Sequence, residues 1–156
     1  MGYVPHDVKW FIAEIVEEIT VEDDQRNVVH VNHNLIRADS PEEAYRKALE
    51  LGRNGETQYE NSGGKQVSVR FRGLRNLLVV YDELEHGAEL MFEESVGVSA
   101  PDLQKMLKTK DELEAFIPWQ PPDFGKQPDY GSKEIIEEVE RRFGTRRFGS
   151  MGKKEA

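Results

Sequence analysis

Five ionisable side chains lie close together in the sequence, in a pattern that could bind a metal ion: Asp82, Glu83, Glu85, His86 and Glu89. Two or three carboxylates with a histidine can hold a divalent ion for hydrolysis, provided that they converge on one point. On a strand, however, Asp82 and Glu83 point to opposite faces. The sequence therefore favours a solvated acidic turn, and we assign no catalytic residue and no metal ligand here.

The histidines and paired glycines do not indicate a site either. His30 and His33 are three residues apart, a spacing that places them on opposite faces of a strand. Gly63, Gly64 and Lys65 precede a predicted strand, whereas a phosphate-binding loop needs a helix N-terminus behind it. The sequence contains no nucleophile elbow and no dinucleotide fingerprint. We therefore predict no cofactor, and the interpretation leans away from an enzyme.

Three arginines form a candidate anion-binding group. Arg70 and Arg72 share one face of a predicted strand, and Arg75 follows shortly after them. Guanidinium groups so placed could bind phosphates or an acidic partner. The alternative is pairing with glutamates on neighbouring strands, such as Glu89 and Glu93. We favour this pairing because the chain as a whole is acidic.

The most informative region for function begins at Pro118. Residues 118–131 contain four prolines and three aromatic residues, which favours extended backbone. Aromatic residues in an extended arm commonly anchor a partner protein. Together with two arginines beyond the arm, they give these candidate partner-binding residues: Trp119, Phe124, Tyr130, Phe143, Arg146 and Arg147. The alternative, that the arm packs on its own sheet, stays open.

Composition narrows the class of protein. The 156 residues include no cysteine, which excludes disulfides and thiolate metal sites and suits a reducing compartment. No stretch approaches the ~20 apolar residues of a membrane span, and the N-terminus lacks a basic signal-peptide region. We therefore expect a cytoplasmic protein without membrane contact. The net charge is −9, made of −11 over residues 1–131 and +2 over residues 132–156, which disfavours nucleic-acid binding by the body.

The first half of the chain has clear local patterns. Residues 8–21 are rich in β-branched residues and precede a turn, so we predict a strand that forms a hairpin with residues 28–38. Ser40, Pro41 and Glu43 predict the start of a helix over residues 41–52. Gly52 suits the left-handed position that ends such a helix.

The remaining elements complete an α+β fold. We predict a loop over 53–64, strands over 66–72, 74–84 and 88–96, and a turn at residues 85–87. Helical segments are predicted within 99–117, the first of them starting at Ser99, and an amphipathic helix is predicted from Ser132 to Phe143. The expected fold is an antiparallel sheet of about five strands in the order β-β-α-β-β-β, with a helix on one face and C-terminal helices. The expected organisation is a domain over 1–117, the arm and its helix over 118–144, and a disordered basic tail over 145–156.

Several stretches of the body carry a likeness to a known family: Trp10–Val21 and residues 35–45, 47–52, 59–61 and 71–90. Over roughly residues 9–95, the body resembles an uncharacterised bacterial family, the domain of unknown function number 4288. The resemblance supports a strand in the first segment. It implies no catalytic residues, since no activity is established for the family.

These observations support one functional hypothesis and two alternatives. The first is a non-enzymatic protein-binding or regulatory module that uses its aromatic, basic arm, with another protein or a second copy as the partner. One alternative is a metal-dependent hydrolase or nuclease that uses the acidic residues 82–89. The other is nucleic-acid binding through Arg70, Arg72, Arg75 and the basic tail.

Overall fold

The computed structural model describes residues 7–143, without the side chains of Val139, Glu140 and Phe143. The described residues fall into two compact units, one formed by residues 7–91 with 122–143 and the other by residues 92–121. None of the helices within 7–143 is both long enough and apolar enough to cross a membrane. The predicted disordered tail lies outside the described residues.

The first unit is built on a four-stranded antiparallel sheet. Its strands are β1 (Trp10–Val21), β2 (Val28–Arg37), β3 (Thr57–Glu60) and β4 (Gln66–Val80), in the spatial order β2-β1-β4-β3. The hairpin of β1 with β2 is confirmed, and its register pairs Trp10 with Arg37 and Ile19 with Val28. The fold is α+β, as expected, but it has four strands and not five.

Helix α1 (Pro41–Asn54) covers part of one face of the sheet, here called the helix face. The Ser40 hydroxyl accepts the backbone N–H of Glu43 at 3.1 Å, and the Glu43 carboxylate accepts the N–H of Asp39 at 3.0 Å. The helix start is therefore confirmed, with its first N–H groups satisfied by side chains. Ala44 and Ala48 are fully buried, because small residues let the helix lie close to the strands.

Two apolar clusters divide the helix face. The first lies under α1 and contains Phe11, Ala13 and Ile15 from β1. The second lies at the other end of β1 and contains Ile19, Val21, Val67 and Val69. Because side chains alternate along a strand, these odd-numbered β1 residues share one face, and Ile12 and Glu14 lie on the other, here called the second face.

The predicted helix-ending role of Gly52 is wrong. Helix α1 continues to Asn54, so Gly52 is an internal helical residue. A Cβ atom at this position would lie 2.4 Å from Cε2 of Phe71. Glycine is needed here because the Phe71 ring lies directly against the helix backbone.

The two strands predicted over 66–72 and 74–84 are one continuous strand, β4. Its register against β1 shifts twice, once between Glu14 and Ile15 and once between Val16 and Glu17. Strand β4 has one extra residue at each bulge, Arg75 at the first and Arg72 at the second. Gly73, which lies between these two residues, has a φ of 137°. The glycine that suggested a break thus permits a distorted but unbroken strand.

Two further sequence predictions are wrong. The loop predicted over 53–64 contains the short edge strand β3, which pairs with β4 from Thr57↔Val69 to Glu60↔Gln66. Residues 88–96, predicted to be a strand, form no regular structure. The turn at Glu85–Gly87 is confirmed, because the N–H of Ala88 donates to the Glu85 carbonyl at 3.0 Å.

The second unit contains short helical segments only. Helix α2 (Ala100–Lys105) begins at Ser99, whose hydroxyl accepts the N–H of Asp102 at 3.3 Å, as predicted. Two 3₁₀ turns follow, at Lys110–Glu112 and Glu114–Phe116. After this unit, the predicted C-terminal helix is confirmed as α3 (Lys133–Phe143).

Candidate functional site

The arm after residue 122 packs on the sheet of its own chain. The Tyr130 side chain packs against the second apolar cluster, formed by Ile19, Val21, Val67 and Val69. Its ring lies 5.6 Å from the ring of His30 in an edge-to-face arrangement. Tyr130 is therefore engaged by its own sheet, and self-packing describes this part of the arm.

Two side chains of the β3 region hold the arm by its backbone. The Tyr59 hydroxyl donates to the carbonyl of Tyr130 at 2.5 Å, and the Asn61 amide donates to the carbonyl of Asp129 at 2.9 Å. Burial raises the pKa of Tyr59 above its usual value of 10.0, and the neighbouring Tyr130 and Asp129 raise it further. The neutral hydroxyl donor is thus retained over a wider pH range.

Asn61 also shapes the turn between β3 and β4. Its side-chain oxygen accepts the N–H groups of Gly63 and Lys65, and the residue is 3% exposed. We predicted no role for Asn61 from the sequence. An asparagine two residues before the pair Gly63 and Gly64 is typical of a side chain that caps a turn, and this signal could have identified it.

Arg26 makes a third attachment to the arm. Its guanidinium donates to the carbonyls of Gly125 and Phe124, at 3.0 and 3.2 Å. Asp24 fixes the same guanidinium with bonds of 3.0 and 2.7 Å. Hydrogen bonds from the Arg26 side chain and backbone lower the pKa of Asp24 to about 2. No sequence signal identified Arg26, because its acceptors are backbone carbonyls about a hundred residues away.

The other candidate partner-binding residues have different environments. Trp119 is 53% exposed and Phe124 is 51% exposed, although the backbone of Phe124 is held by Arg26. The Phe143 side chain, Arg146 and Arg147 lie outside the described residues. On α3, Arg141 and Arg142 both pair with Glu138, at 2.6 Å.

The candidate anion-binding arginines are paired within the sheet. Arg75 Nε lies 2.7 Å from Glu14 Oε1, and Arg72 Nε lies 2.9 Å from Glu18 Oε1. Their pairing with glutamates is as expected, but the partners lie on β1 and are not the expected Glu89 and Glu93. The hydrogen bond from Arg75 lowers the pKa of Glu14, although burial of the carboxyl acts to raise it. Hydrogen bonds from Asn27 and, to a lesser extent, Arg72 lower the pKa of Glu18. Arg70 is exposed and makes no ion pair with the described residues.

The two histidines lie on opposite faces of β2, as their spacing predicts. His30 is paired with Glu17 and contacts Tyr130 on the helix face. His33 is paired with Glu14 on the neighbouring strand, and its proximity contributes to the lowered pKa of the Glu14 carboxyl. The pair therefore cannot chelate one ion.

The acidic residues 82–89 lie in an irregular, exposed loop. Asp82 accepts the N–H of Glu89 at 2.9 Å, so its carboxylate closes the loop. Asp82 and Glu83 line a shallow cleft of ≈ 430 Å³ together with Lys9 and Trp10. Within residues 7–143, no group of three histidine, aspartate or glutamate side chains is arranged to hold a metal ion.

Residues 92–121, here called the apolar segment, are exposed at every position. The segment includes ten large hydrophobic residues that are 42–88% exposed: Phe92, Val96, Val98, Leu103, Met106, Leu107, Leu113, Phe116, Ile117 and Trp119. Exposed apolar surface on this scale marks interaction sites in soluble proteins. Six of these residues fall within the helical segments predicted over 99–117, and their spacing in the sequence did not indicate an exposed surface.

The sheet and its covering helix define a small α+β domain. The chain belongs to the family described as a domain of unknown function, DUF4288, whose profile matches residues 10–92, just over half of the 156 residues. The match covers the whole sheet and α1. Neither the curated proteins nor the solved structures include a match to this chain.

Proposed function

We propose that this chain is a non-enzymatic protein-binding module whose main contact surface is the apolar segment, residues 92–121. The observation that carries this proposal is the exposure of large hydrophobic residues along the whole segment, with Val96 at 88% and Phe92 at 72%. Burying apolar surface contributes about 25 cal/mol per Å², so covering these side chains would favour association. Their types also match interface anchors, since aromatic residues and methionine are enriched there.

The segment is already folded locally in a way that presents these side chains. Ser99 caps α2, and the Thr109 hydroxyl donates to the Glu112 carboxylate at 2.7 Å in the following turn. Lys110 lies over the ring of Phe116, at 5.2 Å from its centre. Local order reduces the entropy lost on binding, which supports a recognition role.

The charge of the segment indicates the kind of partner. It contains six acidic residues, Glu93, Glu94, Asp102, Asp111, Glu112 and Glu114, against three lysines. A complementary partner therefore presents an apolar surface with a basic rim. A second copy of the chain offers one such surface, because the second face of the sheet combines the exposed Leu35 with Arg37 and Arg70.

The test compares the full-length chain with a variant that carries Leu107→Ser, Phe116→Ser and Trp119→Ser. A matched control replaces three exposed polar residues of the same segment: Gln104→Ser, Lys108→Ser and Glu114→Ser. Light scattering measures self-association, and affinity capture with quantitative mass spectrometry identifies other partners. We expect the apolar variant to lose an association that the control retains. The proposal would be overturned if all three proteins had the same molar mass in solution by light scattering and captured the same partners.

A further inference from the structure

A groove of ≈ 980 Å³ lies between the edge strand β3 and the beginning of α3. Its walls are formed by Thr57–Glu60 on one side and by residues 130–135 with Glu137 on the other. A second hollow, of ≈ 470 Å³, shares Glu134, Ile135 and Glu137 and continues along α3 to Arg141. Together they form an elongated groove, here called the edge groove.

The strand in the edge groove has a free hydrogen-bonding side. Strand β3 lies at the edge of the sheet, and β4 is its partner among the described strands. On a strand that is paired on one side, alternate residues direct their N–H and C=O groups away from the sheet. Such an edge is a template for an added strand. Tyr59 and Asn61 hold residues 129–130, and thus the start of α3, beside this edge.

The edge groove is lined by acidic residues and by one exposed apolar side chain. Four glutamates line it, Glu60, Glu134, Glu137 and Glu138, against two cations, Lys133 and Arg141, and Arg141 is paired with Glu138 at 2.6 Å. Ile135 also lines it and is 64% exposed. These features select an extended segment that carries basic residues and a large apolar side chain.

The sequence of the chain contains residues of this composition. Residues 144–156, which lie outside the described residues, directly follow α3 and carry Arg146, Arg147, Lys153 and Lys154 against Glu155, with Phe148 among them. Helix α3 has 11 residues and is therefore about 16 Å long. About five extended residues span that length, so the segment can return from the end of α3 to the groove at its start.

We propose that residues 144–156 bind in the edge groove of the same chain as a strand added to β3. The main-chain bonds come from the outward groups of β3, and Arg146 and Arg147 supply positive charge that the glutamates of the groove attract. Phe148 covers Ile135. This contact does not involve the apolar segment, so it is independent of the proposed partner-binding surface.

Hydrogen exchange of the full-length chain, followed by mass spectrometry on peptides that cover Thr57–Glu60, tests this proposal. The variant Arg146→Glu with Arg147→Glu is expected to exchange roughly tenfold faster in this peptide than the natural chain. The groove variant Glu134→Arg with Glu137→Arg is expected to show the same increase. Combining all four substitutions reverses both charges and should restore slow exchange. The control Lys105→Glu with Lys108→Glu makes the same charge change outside the groove and should leave exchange unchanged.

Two results would overturn the proposal. Equal exchange of β3 in the natural chain and in both double variants would show that residues 144–156 do not occupy the groove. Protection that increases with protein concentration would assign the groove to the segment of a second copy and not to that of the same chain. Circular dichroism of each variant checks that the fold is retained.

Discussion

Most large hydrophobic side chains of residues 8–80 are buried or half-buried, with Val29, Leu35, Tyr45 and Leu51 as exposed exceptions, whereas those of residues 92–121 are exposed. In the first region, Phe11 and Val67 are almost completely buried, because the neighbouring strands cover them on their sides and α1 or Tyr130 covers them from above. In the second region, chemically similar residues are exposed, most of them on the irregular backbone around one short helix and two 3₁₀ turns. The buried apolar residues of the first region therefore stabilise the fold, whereas the exposed ones of the second are available for association.

The largest expected effect tests this comparison with one residue type. Phe11 is 1% exposed and Phe116 is 52% exposed. We expect Phe11→Ala to lower the free energy of unfolding by about 3–5 kcal/mol, because it removes buried contacts and leaves a cavity. Phe116→Ala should change it by less than about 0.5 kcal/mol. Urea unfolding followed by circular dichroism measures the free energy of unfolding of both variants. Similar losses for the two would contradict the different roles of buried and exposed hydrophobic residues.

The next effect concerns how tightly the first region is packed. Alanine normally replaces a helical glycine with a gain of about 1 kcal/mol. At position 52, however, the added methyl group would meet the Phe71 ring at 2.4 Å. We therefore expect Gly52→Ala to lower the free energy of unfolding by about 1–3 kcal/mol.

A second substitution sharpens this test. Phe71→Leu makes room beside the helix, so the double variant should lose less stability than the sum of the two single losses. Additive losses in urea unfolding would mean that the ring contact is not what requires glycine at this position.

The smallest effect concerns the second face of the sheet and depends on pH. Glu14 is 5% exposed, and its bond to Arg75 lowers its pKa below the usual 4.5. The stabilisation from this pair is therefore present above that value and is lost as the pH falls through the lowered pKa. We expect Arg75→Met to lower the free energy of unfolding at neutral pH by about 1 kcal/mol, a modest loss because Arg75 is more than half exposed.

The pH series supplies the control for this prediction. The difference between Arg75→Met and the natural chain should shrink in acid, where Glu14 is protonated in both proteins. Arg70→Met, on the same strand, removes an arginine that makes no ion pair with the described residues and should cost less than about 0.5 kcal/mol. A difference that is constant with pH would contradict the role of the Glu14–Arg75 pair.

Much of the fold was predictable because its signals are local. The β-branched residues of 8–21 and the turn after them predict the β1–β2 hairpin, which the structure confirms. Ser40 and Pro41 predict the start of α1, and Ser99 and Ser132 predict the starts of α2 and α3. Each signal comes from residues within one turn of the element that it starts.

The errors arise where a distant partner decides the structure. Thr57–Glu60 has weak strand character but lies beside β4, which supplies hydrogen bonds. Residues 88–96 have stronger strand character but lie outside the four-stranded sheet. Gly73 resembles a break, yet the long pairing with β1 keeps β4 continuous. A strand forms only where a neighbour accepts its hydrogen bonds, and sequence periodicity does not report that neighbour.

The candidate surfaces divide in the same way. The sequence identified the aromatic arm but left open whether it packs on its own sheet, and the structure places Tyr130 there. Tyr59, Asn61 and Arg26 hold the arm by backbone carbonyls, which every residue has. Such acceptors leave no pattern in the sequence, so these three residues were found only in the structure.

The sequence by itself determined the residues that begin the helices, the faces of the first hairpin and the acidic character of the chain, because these depend on neighbours along the backbone and on composition. Only the tertiary structure decided which glutamates pair with Arg72 and Arg75, why residue 52 is glycine, and which hydrophobic residues are buried. These outcomes depend on contacts between residues far apart in the sequence, whose geometry follows from strand order, bulges and helix placement together.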